Sequence, residues 1–352
     1  MPSKLTLALS TALLVCACKP GPTAAPEVIA LNGAGATFPY PLYSKWISEY
    51  QKVDPRLRIN YQSIGSGGGV RQLTERTVDF GASDAPMSDA ELAKAPGPVV
   101  HVPTTLGAVA LAFNVPGVTA LKLTPAVVSA IFLGELTAWN DPRLTELNPG
   151  VTLPAQPIAV VSRADGSGTT AVFTEYLSAV SPAWKEKVGQ GKSVHFPVGL
   201  GAKGNEGVAG QLKTTPGALG YLELAYAHQT GLATAALQNR AGQFVTPSLA
   251  GITAAAADAA AAMPDDLRVS IVDAAGAAAY PISAFTYVLV YEDAADALKA
   301  KALASFLWWA VHDGQRHGEA LEYAPLPSPV VQRVEQRLRA LRSGSQVVLA
   351  GK

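Results

Sequence analysis

The chain has 352 residues with 27 basic and 27 acidic side chains, a formal net charge of zero, 15% charged residues and 49% hydrophobic ones. That length exceeds what one ordinary core needs and predicts two α/β lobes. The charge balance excludes a basic face for nucleic acid or anionic lipid.

Residues 1–18, MPSKLTLALSTALLVCAC, hold one lysine, an uncharged apolar run from Leu5 to Val15, and small residues before Cys18. This pattern predicts an export signal too short to span a bilayer. Val15-Cys16-Ala17-Cys18 resembles the lipobox of bacterial lipoproteins, which implies cleavage before Cys18 and lipid on its thiol; a plain secretory signal is the alternative. Both cysteines of the chain lie in this segment, so the body that follows has no disulfide and no cysteine nucleophile. Residues 19–27, KPGPTAAPE, read as a tether. The working protein then starts near Val28, outside the cytoplasmic membrane.

From there short apolar runs alternate with amphipathic stretches, the pattern of parallel sheets with crossover helices. A strand at Val28 to Asn32 leads through Gly33-Ala34-Gly35-Ala36-Thr37-Phe38-Pro39 into a helix from near Pro41, with Leu42, Trp46 and Tyr50 on one face. A second strand, Leu57 to Ile64, leads through Gly65-Ser66-Gly67-Gly68-Gly69 into a helix expected from Gly69. A third, Val78 to Ser83, ends at Asp84 ahead of a helix near Ser88. After the extended run Leu106 to Asn114 and a helix near Thr124, the strand Ile158 to Arg163 meets Ala164-Asp165-Gly166-Ser167-Gly168-Thr169-Thr170 and a helix from Gly168. A helix near Asn205, strands Leu219 to Leu224 and Ala284 to Tyr291, an alanine-rich helix at Ala254 to Ala262, and helices from Ala294 and Pro329 complete the order. Thr104 to Asn114 and Ala279 to Tyr291 are long enough to cross between lobes. Two crossings make the first lobe discontinuous, residues 28–106 plus 284–352, with residues 107–283 as the second lobe.

Three of these junctions share one design: a strand, a Gly/Ser/Thr loop and a helix start. A helix start leaves N–H groups unpaired and carries a partial positive charge, so several converging on one point make a pocket for a small anion. Thr37, Ser66, Ser167 and Thr169 add hydroxyl donors, and Arg163 adds a full charge on a planar fork suited to an oxyanion. Asp165, two residues on, is placed to hold that fork. Asp84 also stands at a strand end, and a carboxylate beside a bound anion is unfavourable unless a proton lies between them. Hydrogen phosphate carries such a proton and sulfate does not, so Asp84 is expected to select phosphate over sulfate. Taken singly, each of these loops also reads as a turn with a helix cap, Asp84 as a helix-start residue, and Arg163 with Asp165 as a surface ion pair.

Other motifs compete. Gly199-Leu200-Gly201-Ala202-Lys203-Gly204 is a literal G-x-G-x-x-G with Glu223 near the acidic position of a dinucleotide site, but Pro197 interrupts the strand before it, and a tight turn into the next helix is the plainer reading. Gly191-Lys192-Ser193 ends like a phosphate-binding P-loop, yet Glu186 stands where its first glycine must be. Neither Ser66 nor Ser167 sits in G-x-S-x-G, and the five histidines show no ligand spacing, so no catalytic residue, metal or cofactor is expected. Trp308 and Trp309 read as packing residues.

Four segments taken together carry a resemblance: Gly33-Ala34-Gly35-Ala36-Thr37-Phe38-Pro39; Tyr61-Gln62-Ser63-Ile64-Gly65-Ser66-Gly67-Gly68-Gly69-Val70; Val78-Asp79-Phe80-Gly81-Ala82-Ser83-Asp84-Ala85-Pro86; and Arg163-Ala164-Asp165-Gly166-Ser167-Gly168-Thr169. In this order they resemble the signature segments of the periplasmic phosphate-binding proteins of bacterial Pst ABC transporters, and the likeness runs over nearly the whole mature chain. The resemblance implies a type II periplasmic binding fold, with two α/β lobes, two extended hinge segments and one phosphate in the cleft between them. It implies ligand contacts from Thr37, the Phe38 amide, Ser66, Asp84, Arg163, Ser167, Gly168 and Thr169, with Asp165 pairing the binding arginine and Asp84 accepting the phosphate proton. It also implies a non-enzymatic monomer that delivers phosphate to an ABC permease and its ATPase. Gly67 stands where some members have a second serine, and the lipobox-like start occurs in only part of the family. The alternatives are a binder of another tetrahedral oxyanion and an exported phosphatase-like hydrolase.

Overall fold

The computed structural model describes Ser3 and residues 28–349. The expected leader at residues 1–18, its Cys18 and the tether at residues 19–27 lie outside these, Ser3 apart.

Apolar, β-branched runs form strands, and the glycine and hydroxyl loops after them turn the chain into helices. In chain order the elements that position the cleft are β1 (Ile29–Gly35), α1 (Tyr40–Val53), β2 (Leu57–Ser63), α2 (Ser66–Thr74), β3 (Phe80–Ser83), β4 (Val99–Asn114), β5 (Ala159–Arg163), α3 (Gly168–Val180), β6 (Leu200–Ala202), α4 (Gly204–Thr214), β7 (Ala218–Glu223), α5 (Leu224–Thr230), β8 (Ser283–Tyr291) and α6 (Ala297–Val311). The alanine-rich segment is helical from Leu249 to Ala262.

The alanine-rich helix starts five residues before its expected Ala254 and α6 three after its expected Ala294, and two further starts that differ from expectation bear on the cleft. α2 begins at Ser66 rather than Gly69, because its early glycines let the helix lie against β1: a Cβ at Gly69 would stand 2.6 Å from the Gly35 Cα. β4 begins at Val99, since Pro103 does not break a strand whose partner β8 runs on past it with a register shift at Thr286 and Tyr287.

The strands lie in the order β2-β1-β3-β8-β4-β7-β5-β6, with the short strand Ala233–Thr234 also on β4. β1 is parallel to β2 and β3, and β5 is parallel to β7 and β6. β4 belongs to both ends: residues 99–108 pair antiparallel with β8, and residues 109–114 pair antiparallel with β7. It is buried from His101 to Phe113, as a strand covered on both faces must be. Leu106, Val109 and Leu111 of β4 share one hydrophobic core with Trp46, Phe80, Phe132 and Tyr221, and a smaller cluster around Val161, Val208 and Leu222 fills the space under α4. The carboxyl ends of β1, β2, β3, β5 and β6 all deliver their loops to one cleft, the place where open parallel sheets hold ligands.

Candidate functional site

The loop after β1 places Thr37 and Phe38 with both residues buried. The Thr37 carbonyl accepts from the Tyr226 hydroxyl at 2.6 Å, and the Phe38 carbonyl accepts from the Tyr323 hydroxyl at 2.6 Å. These two anchors fix the peptide planes, and so fix where the Phe38 amide points. After β2, Gly65 takes a φ of 88°, open to glycine at little strain, and starts α2 with Ser66 at its first position. Across the cleft, Ser167 caps α3 by accepting from the Thr170 amide at 3.0 Å. Among the described residues no hydrogen bond engages the amides of Phe38, Ser66, Gly168 or Thr169. Three of these lie at the first positions of α2 and α3, where the helix partial charge is positive.

Arg163 ends β5 with its side chain 1% exposed. Its Nε and Nη2 donate to the Asp165 carboxylate at 2.8 and 2.6 Å, a two-point pair that leaves Nη1 beside Thr169, to whose Oγ1 it donates at 3.2 Å. Burial pushes the Asp165 carboxyl up, but the Arg163 fork and the Gly204 amide, donating at 3.0 Å, outweigh it and hold it below the ordinary carboxylate range.

The opposite wall carries Asp84, 3% exposed. Thr286 of β8 donates to its Oδ1 at 2.9 Å, and Ser66 Oγ faces its Oδ2 at 3.3 Å. Burial raises its pKa to about 7, against the downward pull of Thr286, Arg163 and Ser66. Gly168 comes so near this wall that a Cβ there would collide with Ser66 Oγ and with Asp84. Only glycine permits that approach.

The two walls also touch directly. The Gly67 amide donates to the Gly166 carbonyl at 2.8 Å, and Lys192 Nζ bonds both oxygens of Glu91 at 3.0 and 2.8 Å. Asn205 Nδ2 reaches Thr37 Oγ1 at 2.7 Å and Thr169 Oγ1 at 3.2 Å.

Thus Thr37, Phe38, Ser66, Asp84, Arg163, Ser167, Gly168 and Thr169 gather around one cleft, with Asp165 behind Arg163. Sequence reasoning missed Asn205, Lys192, Glu91, Thr286, Tyr226 and Tyr323 as parts of this site. Asn205 looked like an ordinary helix-start residue. Thr286 left one readable trace, the single threonine inside the buried run of β8. The G-x-G-x-x-G segment forms the β6 turn into α4, and Glu223 does not face outward: it is fully buried, accepts from the Ala225 amide at 2.8 Å and from the Tyr323 hydroxyl at 3.1 Å, and burial holds it well above the carboxylate range. Trp309 packs against Tyr50 and Phe306. Among the described residues no cluster of three or more His, Cys, Asp or Glu is placed to hold a metal.

A sheet whose strand ends aim free amides, an arginine and hydroxyls into a cleft between two halves defines a binding protein for a small anion. The domain profile of the PBP superfamily matches residues 20–313. "Phosphate-binding protein PstS" of Pasteurella multocida is 46% identical over 87% of this chain and 88% of its own length. The protein of the same name from Xylella fastidiosa is 41% identical over 94% of this chain and 95% of its own. The chain belongs to the PBP superfamily and, within it, to the phosphate-binding protein PstS family. Among solved structures, a high-affinity periplasmic phosphate-binding protein bound with phosphate, PfluDING, superposes with a TM-score of 0.71 at 23% identity, covering 92% of this chain and 98% of that one. The phosphate-binding protein of Stenotrophomonas maltophilia gives a TM-score of 0.71 at 19% identity, with the same coverage. These likenesses show the fold, that of the type II periplasmic binding proteins.

Proposed function

We propose that this protein binds inorganic phosphate with high affinity outside the cytoplasmic membrane and delivers it to an ABC permease and its ATPase. Thr37, the Phe38 amide, Ser66, Arg163, Ser167, Gly168 and Thr169 donate to the phosphate oxygens. Asp84 takes the proton that the phosphate keeps, and Asp165 holds Arg163 in position. Residues 28–106 with 284–352 form one lobe and residues 107–283 the other, hinged where β4 passes from β8 to β7 and where the chain returns ahead of β8. The bound anion ties the lobes together and shifts the population toward a closed form that the permease recognises. The protein works as a monomer, led by the export signal at residues 1–18 and held to a membrane through lipid on Cys18.

The observation that carries this reading is the meeting of Arg163 and the unbonded amides of Gly168 and Thr169 on one side with the unbonded amides of Phe38 and Ser66 and the buried Asp84 on the other. A cleft for molybdate or sulfate has no use for that carboxyl. The relatives that match along most of the chain are named as phosphate-binding proteins. The test is a calorimetric titration of the purified chain, stripped of bound anion, with phosphate, beside an assay for release of phosphate from a phosphate ester. Tight one-to-one binding without turnover supports the reading. Turnover, or no binding, removes it.

A further inference from the structure

Asn205 is fully buried at the start of α4, and its amide can face only one way. The Glu223 backbone N–H donates to its side-chain oxygen at 3.0 Å, which an NH₂ group could not accept. The Nδ2 group therefore faces the two threonines. Thr37 Oγ1 accepts from Asn205 twice, from Nδ2 at 2.7 Å and from the backbone N–H at 3.2 Å. Thr169 Oγ1 also accepts twice, from Asn205 Nδ2 at 3.2 Å and from Arg163 Nη1 at 3.2 Å. A hydroxyl has two lone pairs and one proton. In both threonines the lone pairs are taken, and the proton alone is left to engage a ligand.

We propose that Asn205 is a positioning and specificity-determining residue that makes Thr37 and Thr169, one from each wall of the cleft, obligate donors to the bound anion. The proposal rests on the phosphate reading above and adds a polarity to it. At the threonines the ligand oxygen can only accept. At Asp84 only a protonated one is admitted. The ligand's proton then has one place to go, and a tetrahedral anion has a defined orientation in a cleft whose donors are set before it arrives. Freed from Asn205, either hydroxyl can turn a lone pair toward the anion, and an attraction becomes a repulsion.

The substitution that reverses the pattern is Asn205→Asp, whose carboxylate draws the threonine protons toward itself. Because it also adds charge near the anion, its affinity loss alone does not separate the two effects, and the experiment is a double-mutant cycle with Thr37→Val read by phosphate titration. In the parent, Thr37→Val is expected to weaken phosphate binding by about 30-fold, the loss of one hydrogen bond to a charged group. In the Asn205→Asp background the same change is expected to cost less than about 3-fold, because the hydroxyl no longer donates there. Equal costs in both backgrounds would overturn the proposal, since a residue that merely packs the cleft, or repels the anion by charge, leaves the Thr37 contribution intact. If Asn205→Asp does not fold by its melting curve, Asn205→Ala serves in the same cycle. It removes the Nδ2 bond and keeps the backbone one, freeing one lone pair of Thr37 without reversing the hydroxyl, and the expected Thr37→Val cost lies between the other two; an unchanged cost again overturns the proposal. A parent protein that binds no phosphate at all would remove the functional reading instead, which keeps the two failures apart.

Discussion

On one side of the cleft stand Arg163, Ser167, Gly168 and Thr169, a cation and helix-start amides with little to offer but donors. On the other, Asp84 holds a buried carboxyl steadied by Thr286 and Ser66. The first wall attracts any small oxyanion. On the reading proposed above, the carboxyl of the second repels most of them and admits one that brings its own proton, while Thr37, Phe38 and Ser66 beside it add further donors. On that reading affinity and selectivity are divided, and the division is physical: the donors lower the energy of all tetrahedral anions, whereas the carboxyl raises the energy of those without a proton.

This contrast can be broken wall by wall. The largest effect is expected on the donor wall: Arg163→Ala removes a buried two-point charge and leaves Asp165 unpaired, and phosphate affinity is predicted to fall by about 100- to 1,000-fold in a binding titration. Wild-type affinity in that variant would take Arg163 out of the cleft. Next comes the carboxyl wall, where Asp84→Asn is predicted to narrow the preference for phosphate over sulfate by about 100-fold, read by competition between the two anions. An unchanged ratio would deny Asp84 its part.

The same residue gives a pH dependence with a defined sign. Its carboxyl has a pKa of about 7 in the folded chain against 3.8 ordinarily, so the folded state holds a proton that the unfolded state gives up. The contribution of Asp84 to the stability of the anion-free protein must then fall as pH rises from about 4 to about 7 and level off above. Asp84→Asn is predicted to melt with the parent at pH 4 and roughly 5 °C above it at pH 8. Parallel melting curves at both pH values would contradict this. Smaller effects sharpen the picture. Asp165→Asn should weaken phosphate binding about 10-fold by loosening the Arg163 fork, and Lys192→Ala, which opens a partly exposed bridge between the walls, by about 3-fold, with the difference shrinking at high salt.

The strands that end in Gly33–Pro39, Gly65–Gly69, Asp84 and Arg163–Thr169 were legible because strand propensity, glycine and hydroxyl residues are local signals, and the loops they mark do converge. The helix start at Ser66 was misplaced by three glycines that local rules count against a helix. They are tolerated because Gly69 packs on β1, a contact no window of sequence contains. Asn205, Thr286, Tyr226 and Tyr323 were illegible for the same reason: each acts on a residue at least 36 positions away. Asn205 bonds Thr37 across 168 residues, a role that exists only after the two walls meet, and Thr286 bonds Asp84 across 202 residues within one wall, a role that exists only after the sheet has formed.

The most direct measurement is a calorimetric titration of the purified, anion-free chain at pH 8, first with phosphate and then with sulfate. A cleft divided as described predicts tight one-to-one phosphate binding and sulfate that neither binds measurably nor competes. Equal binding of both anions would show that Asp84 does not face the ligand, and would contradict the division between an attracting wall and a selecting one.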